Sequence, residues 1–175
     1  MHTLASNLVH CVFSTNDRAD LIKEPERTWQ YIAGIARAKQ IPLVAIGGTK
    51  NHVHLLVALP PAMSLAKAIQ DIKGNSSRWL GETSPRFAWQ RGYGAFSVSE
   101  SRKDAVKDYI ANQEQHHGKW SFEQEFITLL RNSKIEFASA TSADLSCPRH
   151  SDHFLLAFPA LKGGAIGFRP PRRAP

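Results

Sequence analysis

Two histidines one residue apart, His52 and His54, open an apolar run in the stretch GGTKNHVHLLVALP (47–60). In an extended strand, positions i and i+2 point to the same face, so the two imidazoles point together. Side by side they can hold one divalent cation. The plain alternative is a pair of ordinary histidines at a strand end, bonded to backbone or solvent. A third ligand would separate the two readings, and DYIANQEQHH (108–117) offers one. Tyr109 and Gln113 stand four residues apart and share a face if the segment is helical. The Gln113 amide oxygen is then a candidate ligand, with Tyr109 one turn away. A phenol is a poor nucleophile at its usual pKa near ~10. Beside a phosphate polarised by a metal, it can attack phosphorus and form a phosphotyrosine. For a single helix read in isolation, the favoured reading is that Tyr109 is a surface or interface residue and Gln113 a solvated one.

Positioning these groups requires a strand, a helix and a core. The run LVHCVFST (8–15) is apolar and β-branched and predicts a strand. Pro25 suits a first helical position, and Trp29, Ile32, Ile35 and Ala36 recur at helical spacing over 25–39. IPLVAIGG (41–48) and HVHLLVAL (52–59) read as strands joined by a short link, a hairpin. Within the second, Val53, Leu55, Val57 and Leu59 face the core, leaving His52 and His54 to converge on the other side, open to solvent. Ser64 caps a helix over 64–80, along which Leu65, Ala68, Ile69, Ile72, Ser76, Trp79 and Leu80 mark one face. Extended segments over 87–99 surround Gly92-Tyr93-Gly94. A helix follows from Ser101 to Gly118, with Val106, Ile110 and Gln113 or Glu114 along one face. Ser121 with Gln124 forms a capping box, and Phe122, Phe126, Leu129 and Leu130 give a last helix its apolar stripe. The order β-α-β-β-α-β predicts an α+β, ferredoxin-like antiparallel sheet with helices on one face, plus C-terminal helices. Residues 138–175, with Ser/Ala/Thr, Pro and Gly leading to RPPRRAP, lack sustained periodicity and are expected to be an irregular or disordered basic extension, leaving 1–137 as the folded domain.

The chain has 175 residues and 42% hydrophobic content, enough for one domain with its own core. No run approaches the ~18 apolar residues of a membrane span, and MHTLASNLVHCVFSTNDR has no secretory pattern. Cys11 and Cys147 make no disulfide framework, so a reduced, cytoplasmic setting is the expectation. The net charge of +7 invites a nucleic-acid partner. Most of that excess is in the tail, because residues 1–148 carry 17 basic and 14 acidic residues.

The segments NHVHLLVALPP, IKGNSSRWL, WQRGYGAFSVSES and KDYIANQEQHH, in this order and spacing, resemble the HUH single-strand tyrosine transposases of insertion sequences, including those associated with repetitive extragenic palindromes. The resemblance spans roughly residues 4–137. It implies that His52 and His54 are metal ligands, that Gln113 is a further ligand, that Tyr109 is the nucleophile, and that the metal is Mg²⁺ or Mn²⁺. The implied reaction cleaves and rejoins single-stranded DNA through a 5′-phosphotyrosine link. The implied partners are a hairpin-containing single strand and a second copy of the chain in a homodimer, with Tyr109 acting in its own or the other subunit. Lys50, Lys67, Lys73, Arg78, Arg91, Arg102, Lys103 and Lys107 are candidate phosphate contacts, and Trp89, Tyr93 or Phe96 could stack on bases. Each of these is also an ordinary surface charge or core aromatic. His10, His116 and His117 rank below Gln113 as ligands, and no metal role is expected of His150 or His153. Two other functions fit parts of the pattern. One is a non-catalytic module that binds single strands on its sheet. The other is a rolling-circle replication initiator, which shares the histidine and tyrosine chemistry but is expected to carry a further domain.

Overall fold

The computed structural model describes residues 5–117 and 121–135. The expected extension over 138–175, with His150 and His153, lies outside the described residues. The elements run β1 (Leu8–Ser14), α1 (Pro25–Ala38), β2 (Leu43–Gly48), β3 (His52–Ala58), α2 (Leu65–Thr83), β4 (Gly94–Val98), α3 (Lys103–Ala111), α4 (Gln113–His117) and α5 (Phe122–Asn132). Short 3₁₀ turns precede α1 at Asn16–Arg18 and α3 at Glu100–Arg102. The sheet order is β2-β3-β1-β4 and every pairing is antiparallel. This is the ferredoxin-like arrangement, with the β2–β3 hairpin the sequence predicts.

Side-chain parity divides the core. Val9, Cys11 and Phe13 of β1 and Val53, Leu55 and Val57 of β3 pack against Ile32, Ile35 and Ala36 of α1 and Ala68, Ile69 and Ile72 of α2. Burial on that face pushes the Cys11 thiol up to about 12, so it stays protonated. The opposite face carries Leu8 and Leu56, covered by Ile110 of α3. Helices α1 and α2 therefore lie on one face, as expected, and the C-terminal helices close the other. All seven residues of β1 are buried in consequence.

Three differences from the sequence expectation have local causes. The helix predicted from Ser101 to Gly118 begins at Lys103 and breaks at Asn112, whose backbone (φ −102°, ψ 22°) leaves the helical region. The amide of the Asn112 side chain bonds back to the Asp108 carbonyl, a local alternative to continuing the helix. The extended stretch over 87–99 yields a strand only at 94–98, because Gly92 turns the chain at φ 75° and leaves Trp89 a single bridge to Thr15. In α5, Phe122, Phe126, Leu129 and Leu130 are half-buried, while the one fully buried side chain is Glu125.

Candidate metal and tyrosine site

The alternation of β3 that sends Val53 and Leu55 into the main core sends His52 and His54 to the opposite face, as predicted. They are not open to solvent there. Both are 0% exposed. Rings of His117 and Phe122 lie 4.4 and 4.7 Å from the His52 ring, centroid to centroid. The lid is supplied by α4 and α5, which the hairpin pattern by itself could not reveal. Strand β2 adds the other wall. Gly47 pairs with His54 and passes so close beneath α3 that a β-carbon there would strike the Ile110 carbonyl.

Each histidine is held through one ring nitrogen, which leaves the other directed inward. His52 Nδ1 donates to Asn51 Oδ1 at 2.7 Å, with the Thr49 hydroxyl 3.0 Å from the same nitrogen. Its Nε2 is then a lone pair. His54 Nδ1 lies 2.9 Å from His10 Nε2. With His54 as donor in that bond, its own Nε2 carries a lone pair too, and this atom is buried with no hydrogen-bond partner among the described residues. Burial drives the His52 and His10 imidazoles down to about 3, with the neighbouring His54 adding to both shifts, and burial lowers His54 as well. All three are neutral near pH 7. With a neutral imidazole, the 3.5 Å approach of His54 Nε2 to Glu125 Oε2 is not an ion pair.

Glu125 closes the pocket from α5. Its Oε2 lies 3.5 Å from His54 Nε2 and 3.9 Å from His52 Nε2, and it accepts a 2.9 Å bond from His117 Nε2. Its Oε1 accepts the Tyr109 hydroxyl and, at 2.9 Å, Gln113 Nε2. Burial alone would raise this carboxyl; the contacts from His54, Tyr109 and Gln113 outweigh it and hold the group well below the usual carboxylate range. The Tyr109 hydroxyl is pushed well above its ordinary range, by burial first and then by the carboxylate that accepts its proton. Gln113 Oε1 faces His52 Nε2 at 3.4 Å. Tyr109 and Gln113 share one partner despite the break at Asn112, and the Tyr109 ring sits 5.9 Å from that of His54 in the same chain.

The donor set fits a divalent cation. His52, His54 and Glu125 each offer one ligand atom, all within 4.8 Å of one another. Two donors each about 2.1 Å from a metal can lie up to roughly 4 Å apart, which spans both measured gaps. A buried lone pair without a partner costs about 1–3 kcal/mol, and a cation would satisfy it.

Residues 3–113, well over half the chain, match the family described as transposase IS200 like. The chain belongs to that family. The match includes His52, His54, Tyr109 and Gln113 and stops short of Glu125. Two solved structures share the fold of this IS200-like chain. One is a candidate transposase of Deinococcus radiodurans R1, 22% identical, with a TM-score of 0.53 over 65% of this chain and 95% of that one. The other is a tyrosine transposase associated with REP sequences, bound to a REP hairpin, 16% identical, with a TM-score of 0.53 over 67% and 72%. No curated protein is significantly similar to the chain. No helix among the described residues is long and apolar enough to cross a membrane.

The predicted basic residues have diverse surroundings. Lys50, Arg78, Arg91 and Arg102 are exposed. Lys67 pairs with Asp71 at 2.8 Å, Lys103 with Glu100 at 2.8 Å and Lys107 with Asp104 at 3.3 Å. Lys73 turns inward. Its ammonium donates to the carbonyls of Gln90 (2.7 Å) and Gly92 (2.6 Å), and burial lowers it to about 8. Of the aromatics, Phe96 is buried and Trp89 packs against Phe13 and Phe87, while Tyr93 is exposed. Glu125 and His10 are the residues sequence reasoning missed or set aside. A carboxylate inside the Phe122–Phe126–Leu129 stripe, and a histidine in an otherwise apolar strand, were the available signals.

Proposed function

We propose that this IS200-like protein cleaves and rejoins single-stranded, hairpin-containing DNA with Tyr109 as nucleophile and His52 and His54 as ligands of Mg²⁺ or Mn²⁺. The observation that carries the reading is the convergence of two inward imidazole nitrogens and a carboxylate beside the tyrosine hydroxyl, inside a family of transposases. The cation, when bound, supplies positive charge to neutralise that developing on the scissile phosphate. Tyr109 attacks phosphorus as its proton passes to Glu125 Oε1, the bond to the 3′ oxygen breaks, and the departing oxygen takes up a proton from water while Glu125 returns its own to solvent. The products are a 5′-phosphotyrosine and a 3′-hydroxyl. A later attack by a 3′-hydroxyl reverses the step and joins strands without an external energy source. Proximity of Tyr109 to its own histidine pair supports action within one subunit. The REP hairpin held by the structural relative supports a hairpin substrate. Exposed Lys50, Arg78, Arg91 and Arg102 are the phosphate contacts the reading favours, and a homodimer remains part of it. A binder that uses its sheet surface is less well supported, since α3 covers one face and α1 and α2 the other.

The test is incubation of the protein with Mn²⁺ and a labelled single-stranded REP-type hairpin, followed by denaturing electrophoresis. An adduct should form with the native chain and vanish in Tyr109→Phe, which retains DNA binding. An adduct that persists in Tyr109→Phe refutes the assignment.

A further inference from the structure

Within that reading, we infer that Glu125 is the anionic third ligand of the cation, and that Gln113 positions Glu125 instead of binding the metal. Four observations lead there. Glu125 is 3% exposed, so its charge has no solvent to face. Its Oε2 is aimed at both inward imidazole nitrogens. The unpartnered His54 Nε2 points at that same oxygen. Gln113 donates its amide N–H to Glu125 Oε1, which fixes the carboxylate's rotation and turns Oε2 toward the histidines, while Gln113 Oε1 lies 3.4 Å from His52 Nε2 and makes no bond to the unpartnered His54 Nε2. His117 holds Oε2 from outside the pocket in the same way.

Chemistry favours the carboxylate over the amide. Mg²⁺ and Mn²⁺ are hard cations that prefer charged oxygen donors. Two imidazoles and an amide would leave both positive charges uncompensated in a buried pocket, whereas one carboxylate removes half of that charge. Glu125 lies on α5, beyond the stretch that matches the family. The third ligand therefore comes from a helix outside the motif that carries the histidine pair and tyrosine.

The experiment is titration of the full-length protein with Mn²⁺ alone, with free Mn²⁺ followed by electron paramagnetic resonance. Glu125→Gln should weaken binding at least tenfold, and Gln113→Leu should stay within threefold of wild type. A Glu125→Gln protein within threefold of wild type overturns the assignment, whatever Gln113→Leu does. Gln113→Leu added to Glu125→Gln should cost nothing further, and a further tenfold loss in that background overturns the positioning role, because Gln113 would then bind the metal itself. A readout that needs no variant uses wild-type protein carrying ¹³C in its glutamate side-chain carboxyls. Electron–nuclear double resonance should detect a ¹³C coupling to bound Mn²⁺, and its absence overturns the proposal even if Glu125→Gln does not fold. Failure of the underlying site looks different. In that case His52→Ala and His54→Ala would bind Mn²⁺ as wild type does.

Discussion

Replacing Gly47 with alanine should damage the proposed strand cleavage through the seat of α3 on β2. The added β-carbon would collide with the Ile110 carbonyl oxygen and lie 3.1 Å from both its carbonyl carbon and its Cγ2. Comfortable carbon contacts begin near ~3.5 Å, and the nearest obstacle is backbone, which cannot swing aside as a side chain can. Helix α3 must therefore lift from β2 by roughly 1 Å. Overpacking of this kind costs about 1–3 kcal/mol, which lowers Tm by roughly 4–10 °C for a domain of this size. Tyr109 precedes Ile110 and moves with it, and a displacement near ~1 Å can cost ~100-fold in rate. Thermal unfolding and the single-turnover rate of adduct formation measure the two effects. Gly34→Ala is the control, because nothing lies within 4 Å of its β-carbon and the residue is inside α1. It should stabilise by about 0.5–1 kcal/mol and leave the rate alone. A Gly47→Ala protein with wild-type Tm and wild-type rate would refute the seating of α3 on that glycine.

In chelator-treated protein, stability should fall on acidification from pH 6.5 towards 3. His10 and His52 are held down to about 3 when folded, while in the unfolded chain they take up protons below about 6.5. Their contribution is complete above that value, and a few kcal/mol should be lost by pH 5. Urea midpoints at pH 7.5 and 5 measure it, and equal midpoints would contradict the neutral, buried assignment. Ser76→Ala should cost about 1–3 kcal/mol by stranding the Trp89 indole N–H, now bonded to Ser76 Oγ at 2.9 Å. The same chemical-denaturation assay reads it, and a loss below ~0.5 kcal/mol would show that the indole finds water instead.

The sheet, the β2–β3 hairpin and the inward–outward split of His52 and Val53 were legible because a strand's period of two is written directly in its residues. The kink at Asn112 was less so, since an asparagine side chain competes with helix continuation only where the next segment has somewhere else to go. Glu125 was hidden by its type. In FEQEF a glutamate between aromatics reads as the solvated edge of an amphipathic helix, and only the histidines across the pocket give its burial a reason. His10 depends on register. Val12 pairs with His54, which sets His10 on the same face, diagonally across from it, and no local pattern in β1 states which residue of β3 it will meet. The basic residues show the converse problem. Lys73 looks like surface on a helical wheel, yet the Gln90–Gly92 turn folds its carbonyls over the ammonium.

With Glu125 as the proposed third ligand, docking of α5 and cation binding are thermodynamically linked. A helix of 11 residues is marginal alone. This one is held by Phe126 against Gly94 and Phe96, by Phe122 against His52, and by the hydrogen bonds of Glu125 with Tyr109, Gln113 and His117. Whatever factor docking contributes to metal affinity, the metal must return to docking. Saturating Mn²⁺ should therefore slow hydrogen exchange of the amides of residues 122–132, and by more than it slows α1 on the far face of the sheet. At 100 times Kd the effect on the docked state is bounded by about 2.7 kcal/mol, or ~100-fold in protection. Glu125→Gln should lose most of this response and keep the smaller one at β3, where the histidines still bind. If Mn²⁺ protects β3 in the wild-type chain while exchange in α5 does not change, the helix carries no ligand, and the carboxylate serves only to hold the tyrosine.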